Sequence, residues 1–150
     1  MTQKPSPESR SKPICVGEHI VEHVSLTRIE IANFATLCGD LNPLHHDEDY
    51  AQHTRFGAVI ACGPHLSSLM MGLIATYFSQ GRAMLGLEFT FRFLKVVKAG
   101  DTITMDWEII SAEPKASLHG EIVTIEGTAT NQQGQIVLTG RGKVLVVDKL

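Results

Sequence analysis

Phe34-Ala-Thr-Leu-Cys-Gly-Asp-Leu-Asn-Pro-Leu-His45 is the stretch on which the reading of this chain turns. It opens with helix-compatible residues and closes in backbone that cannot stay helical. Gly39 is a good helix terminator, and Pro43 disfavours the helical region for Asn42. Asp40 therefore stands five residues before His45 in irregular backbone, with Asn42 and Pro43 shaping the turn between them. Loops held on a rigid scaffold are where catalytic groups concentrate. A carboxylate and a neutral imidazole that reach one water can remove one proton and deliver another, once their pKa values are pushed apart. The plainer alternative is that Asp40 caps a turn and His45 packs, and spacing alone leaves both open.

Working outward, Thr27-Arg28-Ile29-Glu30 is a capping box that opens a helix through Ile31, Phe34 and Leu37 to Gly39. Before it, residues 14–24 alternate, with Ile20, Glu22 and Val24 on one face and His19, Val21 and His23 on the other, which predicts a first strand. Residues 1–13, with Pro5, Pro7 and Pro13 among polar side chains, read as a disordered tail ahead of a single domain over 14–150. After the loop, Asp47 is placed to cap a short helix through Tyr50 and Ala51. Gly63-Pro64 then opens the most apolar segment, running to about Phe78, with Leu66, Leu69, Met70, Leu73 and Tyr77 at helical spacing. Apolar almost all round, it reads as a buried central helix. The second half predicts strands over 85–97, 101–111, 117–131 and 135–147, separated by turn material at 98–100, 112–115 and 131–134. Long strands joined by short turns form an antiparallel sheet, and one buried helix wrapped by it is an α+β arrangement.

Composition excludes several classes. The chain has 150 residues, 43% of them hydrophobic and 19% charged, which is globular and long enough for a real core. Thirteen Lys and Arg against sixteen Asp and Glu leave a formal charge of −3, which argues against a general electrostatic grip on nucleic acid or an anionic membrane. Residues 66–78 are too short and too interrupted to span a bilayer, and residues 1–12 carry no secretory pattern. Three cysteines, Cys15, Cys38 and Cys62, form no CxxC pair; a zinc ribbon or disulfide framework is not expected, and a reducing, cytoplasmic compartment is.

From Phe34 to Ala51 the sequence resembles the signature of the MaoC-like, or hydratase 2, branch of the hotdog superfamily. That pattern runs aromatic, small residues, aliphatic, small, Gly-Asp-x-Asn-Pro-aliphatic-His, then five residues and a small one. Phe34, Gly39, Asp40, Asn42, Pro43, Leu44, His45 and Ala51 meet it. The order of strand, capped helix, loop, central helix and four long strands fits as well. Phe89-Thr-Phe-Arg-Phe93 and Lys98-Ala-Gly-Asp101-Thr fall where such proteins turn between outer strands, so the likeness covers all but the tail.

The resemblance implies a single hotdog fold and (R)-specific hydration of trans-2-enoyl thioesters, or the reverse dehydration. Asp40 and His45 match the catalytic pair that holds one water and adds it syn across the double bond. Gly63 matches the position whose backbone amide points at the thioester oxygen, and a helix start suits an anion there. Asn42 looks like a supporting residue that holds the loop. No cofactor or metal is implied; the substrate is a thioester of coenzyme A or acyl carrier protein. The chain departs from the family at Cys62-Gly63-Pro64, where His-Gly-Met is common, and at His65, where an aliphatic residue is usual. A short, branched or functionalised acyl group therefore fits as well as a plain fatty one. Relatives that work alone carry two hotdogs in one chain, so a single hotdog with an uncovered sheet edge predicts a homodimer.

Other readings compete. A hotdog thioesterase would activate water with a carboxylate against the carbonyl and would not need the Asp-x-Asn-Pro-x-His loop; a non-catalytic acyl-thioester-binding subunit would not need the intact pair. His45, His46, Asp47, Glu48, Asp49 and His53 include zinc- and manganese-type ligands without an established spacing, against solvated helix acids as the plainer account. Cys62, at a helix start, is either a thiolate nucleophile or a buried small residue. Arg82, Arg92, Lys95 and Lys98 are the candidates for coenzyme A phosphates, against ordinary solvated cations.

Overall fold

In the computed structural model, which describes residues 12–148, hydropathy orders the elements along the chain. They are β1 (His19–Ser25), α1 (Arg28–Cys38), a 3₁₀ turn (Pro43–His45), α2 (Glu48–Gln52), α3 (Gly63–Phe78), β2 (Ala83–Phe93), β3 (Thr102–Lys115), a second 3₁₀ turn (Ala116–Leu118), β4 (Gly120–Asn131) and β5 (Ile136–Val147). The strands form one antiparallel sheet in the order β1-β3-β4-β5-β2. Of the segment expected as a disordered tail, residues 1–11 lie outside the described residues. Lys12 is ordered and ion-pairs with Glu18.

Cross-strand register sets the inner face. Ile103, Met105, Trp107 and Ile109 of β3 are fully buried or nearly so, while the alternate residues face outward. Ile20, Trp107, Gly127, Gly140 and Phe91 form one row across all five strands. The two glycines are there for space. A Cβ on Gly127 would sit 2.5 Å from the Trp107 ring, and one on Gly140 would sit 2.8 Å from Phe91. The indole lies over bare backbone, meets Phe89 and Phe91 edge-on, and donates its N–H to the Met70 carbonyl at 2.9 Å. That bond fixes α3 over the centre of the sheet.

α3 is the central helix the apolar run predicts, but it is not buried all round. His65, Leu66, Met70, Ile74 and Phe78 are buried, whereas Pro64, Ser68, Met71 and Gly72 are exposed. One stripe meets the sheet and the other side is open in the single chain. Three strand limits also differ. β1 begins at His19 rather than residue 14, because the backbone turns at Gly17 with φ +84°. The expected turn at 112–115 is strand instead, and the chain reverses at residues 116–119, with His119 left-handed at φ 51°. Proline inside a strand signalled a turn, yet Pro114 lies beyond the last β1 partner, Glu108, on an open edge where no N–H is needed. The strand expected over 85–97 ends at Phe93; Leu94 and Lys95 donate their amides to the Val137 carbonyl as the chain leaves the sheet.

Candidate active site

The loop geometry begins at the end of α1. Thr27 and Glu30 close the capping box from both sides, with Glu30 N–H to Thr27 Oγ1 at 3.2 Å and Thr27 N–H to Glu30 Oε2 at 2.9 Å. Gly39 ends α1 in the left-handed region at φ 73°, a conformation that costs glycine least. The Asp40 amide then donates to Ala35 O at 2.8 Å, so the carboxylate leaves the helix end in a fixed direction. Asp40 Oδ1 accepts the Asn42 N–H at 3.0 Å, and Asn42 Oδ1 accepts the Leu44 N–H at 3.1 Å, capping the 3₁₀ turn that carries His45. Asn42 thus touches the loop backbone and shapes the turn.

These constraints bring Asp40 and His45 together. His45 Nε2 lies 3.3 Å from Asp40 Oδ2, with the imidazole buried and the carboxylate about one-third exposed. His45 Nδ1 donates to the Ile60 carbonyl at 2.7 Å, which leaves Nε2 facing the acid. The Ile60 amide returns to Leu44 O at 3.0 Å, tying the loop to the strand-like approach to α3. His46, which the sequence offers either as part of a metal-type run or as a residue at the surface or supporting the site, donates Nε2–H to the Asp40 carbonyl at 2.7 Å and braces the acid from its backbone side.

Gly63 opens α3 three residues after Ile60. As the first helical residue its amide precedes the hydrogen-bonded ladder and stays available as a donor. Pro64 has no N–H, and the His65 amide is taken by Cys62 O at 3.1 Å. The Phe93 ring lies against Gly63, only 3.2 Å from where a Cβ would be. His65 stacks face to face on Phe34, with ring centroids 4.4 Å apart and planes 3° from parallel. The first residue of the loop motif is thereby clamped to the first turn of α3.

The remaining candidates separate. Cys62 is buried, and desolvation pushes its thiol up, with the charges of Cys38 and Asp40 adding to the effect; a neutral thiol is a poor nucleophile. Within the metal-type run, His53 Nδ1 is engaged by Asp49 O at 2.6 Å and Asp47 caps α2 through the Tyr50 amide at 2.9 Å. No group of three or more His, Cys, Asp or Glu side chains among the described residues is arranged to hold a metal. No helix among them is long and apolar enough to cross a membrane. Arg82 pairs with Glu121 and Asp148 at 3.9 and 3.5 Å, and Arg92 lies on the outer sheet face near Asp106 and Glu108. Lys95 and Lys98 instead line one cleft with Arg55, which no sequence motif marked. The Ile60 carbonyl was equally invisible, since backbone atoms that orient a side chain have no residue-type signature.

Comparison with known proteins bears on the family and the fold. The chain is 34% identical over 119 residues to an (R)-specific enoyl-CoA hydratase of Aeromonas caviae, covering 77% of this chain and 82% of that protein. It is 30% identical over 122 residues to one from Rhodospirillum rubrum, covering 81% of each. Among solved structures, R-hydratase PhaJ1 from Pseudomonas aeruginosa superposes with a TM-score of 0.81 at 29% identity, over 90% of this chain and 83% of that one. The (R)-hydratase of A. caviae gives 0.78 at 29% identity, over 89% and 98%. These hotdog neighbours share the helix-and-sheet arrangement described above. With the MaoC like domain matching residues 14–131, the chain belongs to that family.

Proposed function

We propose that this chain is a hydro-lyase that adds water to trans-2-enoyl thioesters to give (R)-3-hydroxyacyl thioesters, or runs the reverse dehydration. The observation that carries the reading is the Asp40–His45 pair, 3.3 Å apart, with the imidazole oriented by the Ile60 carbonyl. Oδ2 and Nε2 are two proton acceptors facing one position. A water there donates one O–H to each. As its oxygen bonds to C3, one member of the pair takes the proton, and the C2–C3 π pair moves onto the thioester as an enolate. A proton from the pair then closes C2 on the same face, so the addition is syn. The enolate oxygen is stabilised by the Gly63 amide at the positive end of α3; one such donor lowers the barrier by about 3–4 kcal/mol. The reaction leaves the overall oxidation state unchanged, so no resident cofactor is required.

The test is incubation of purified protein with crotonyl-CoA, following enoyl absorbance and free thiol together. Loss of absorbance without thiol release is the expected result. Thiol release would identify a thioesterase, and no change across a panel of chain lengths would identify a binding subunit.

The proposed active unit is a homodimer. Among the described residues β2 pairs only with β5, which leaves its other edge without a strand there, and Leu85, Leu87 and Phe93 on it are 45%, 51% and 51% exposed. A second copy would cover that edge and the open side of α3. The proposed compartment is cytoplasmic, where the three free thiols stay reduced.

A further inference from the structure

We propose that the groove between α1, α3 and β1 is a second ligand site, and that it takes a small molecule with an apolar body and a protonated amine. The inference goes beyond the hydratase reading and does not use Asp40, His45 or Gly63. The groove has a volume of about 570 Å³, a size suited to a small molecule. Phe34 of α1, Leu69 and Leu73 of α3 and Met105 of β3 give it apolar walls, and Glu22 of β1 closes one side. It lies on the flank of α3 next to β1, at the opposite end of the sheet order from β2. A second copy seated on the β2 edge therefore approaches the other flank of α3, where Met71 stands.

Polar groups without partners stand along these walls. His65 is only 6% exposed, and neither ring nitrogen makes a hydrogen bond among the described residues. Nδ1 is shut off from solvent, which leaves Nε2 as the nitrogen a ligand can reach. Burial holds the imidazole below its ordinary value of 6.5, so the ring is neutral at pH 7. With no partner to fix the tautomer, Nε2 is free to accept a proton donor. The Ser68 and Thr76 hydroxyls on the same flank of α3 are likewise without a hydrogen bond among the described residues. The Glu22 carboxylate forms no ion pair among them either; Oε1 accepts the neighbouring His23 N–H at 3.2 Å, and Oε2 is left over.

Charge selects the occupant. No Lys or Arg lines the groove among the described residues, and His23 has its Nδ1 engaged by Thr104 Oγ1 at 2.9 Å. An anion entering would meet the Glu22 carboxylate unopposed, whereas an ammonium group meets that carboxylate and the imidazole lone pair. The aliphatic residue usual at position 65 in the family would offer the groove no polar atom. Gly72 supplies a second argument. Glycine weakens a helix interior relative to alanine, yet a Cβ on Gly72 would meet nothing within 4 Å. No neighbour in the chain requires the gap, and the bare backbone lets a ligand lie against α3 between Leu69 and Thr76. The stack of His65 on Phe34, with centroids 4.4 Å apart, makes that end of the groove a fixed wall.

The test is calorimetric titration of 4-phenylbutylamine and 4-phenylbutyrate, which share an apolar body and differ in charge. Each is titrated into the wild-type protein, Glu22→Gln and Gly72→Leu. Wild type should bind the amine more tightly than the acid by about tenfold or more, and Glu22→Gln should weaken the amine by about tenfold. Higher salt should narrow the gap between amine and acid. Gly72→Leu, which sends a side chain into the open groove, should remove binding with the far-ultraviolet dichroism unaltered. The assignment is overturned if wild type binds neither compound, if the acid binds as tightly as the amine, or if Glu22→Gln binds the amine like wild type. Glu22 stands on the exposed edge strand, so its variant decides the matter even if Gly72→Leu does not fold. Light scattering separates a ligand site from an interface between copies. An unchanged mass is expected for folded Gly72→Leu, and a fall in mass would show that a second copy fills the groove.

Discussion

At the scale of single residues, the site depends on groups far apart in sequence fixing one another. Asp40 is held by Asn42 N–H on its carboxylate and by His46 on its carbonyl, and His45 by the Ile60 carbonyl. His65 plays a different part. Its ring stacks on Phe34, but its Nδ1 is buried without a hydrogen-bond partner among the described residues. Desolvation holds the imidazole below its ordinary value of 6.5, with the Glu30 carboxylate opposing weakly. The unfolded chain therefore binds this proton more readily, and stability is lost as pH falls below 6.5 towards the depressed folded value. Thermal unfolding followed from about pH 7 to 5 should show a falling Tm, and His65→Leu should flatten that slope while holding or raising the Tm at neutral pH. An unchanged slope would show that other groups carry the acid sensitivity. The Asp40–His45 loop was legible because glycine, proline and the catalytic side chains are all residue types. The Ile60 carbonyl and Arg55 were not, because one is backbone and the other gains meaning only beside Lys95 and Lys98.

At the scale of elements, the sheet is shaped by what is missing from it. Trp107 fits under α3 only because Gly127 and Gly140 present no side chain. Gly127→Ala would place a methyl 2.5 Å from the indole, and backbone lies 2.8 Å away, so neither neighbour yields cheaply. Urea unfolding should show a loss of about 1–3 kcal/mol, whereas a loss near zero would mean that the indole is free to move. Runs rich in Ile, Val, Thr and Phe between turn residues made β3, β4 and β5 readable, and the capping box made α1 so. The turn at 116–119 was missed because Pro114 was read as punctuation, and only the β1 register shows that it stands on an open edge. Hydropathy also overstated the burial of α3, since apolar residues on its open side look the same in sequence as those facing the sheet.

At the scale of the whole molecule, the proposed homodimer rests on the β2 edge, which no described strand pairs, and on the open side of α3. Light scattering should give twice the 16.4 kDa chain mass, and Leu87→Lys, on the exposed edge, should shift the protein towards monomer and reduce turnover. A wild-type monomer with full activity would refute the dimer. Turnover also tests the central claim, that Asp40 and His45 act on one water as a unit. The decisive measurement is kcat on crotonyl-CoA for Asp40→Asn, His45→Ala and the double variant, each checked for a native dichroism spectrum. Each single change should cost about 10²–10⁴-fold, and the double variant little more than either. A near-normal rate in either single variant would contradict the account.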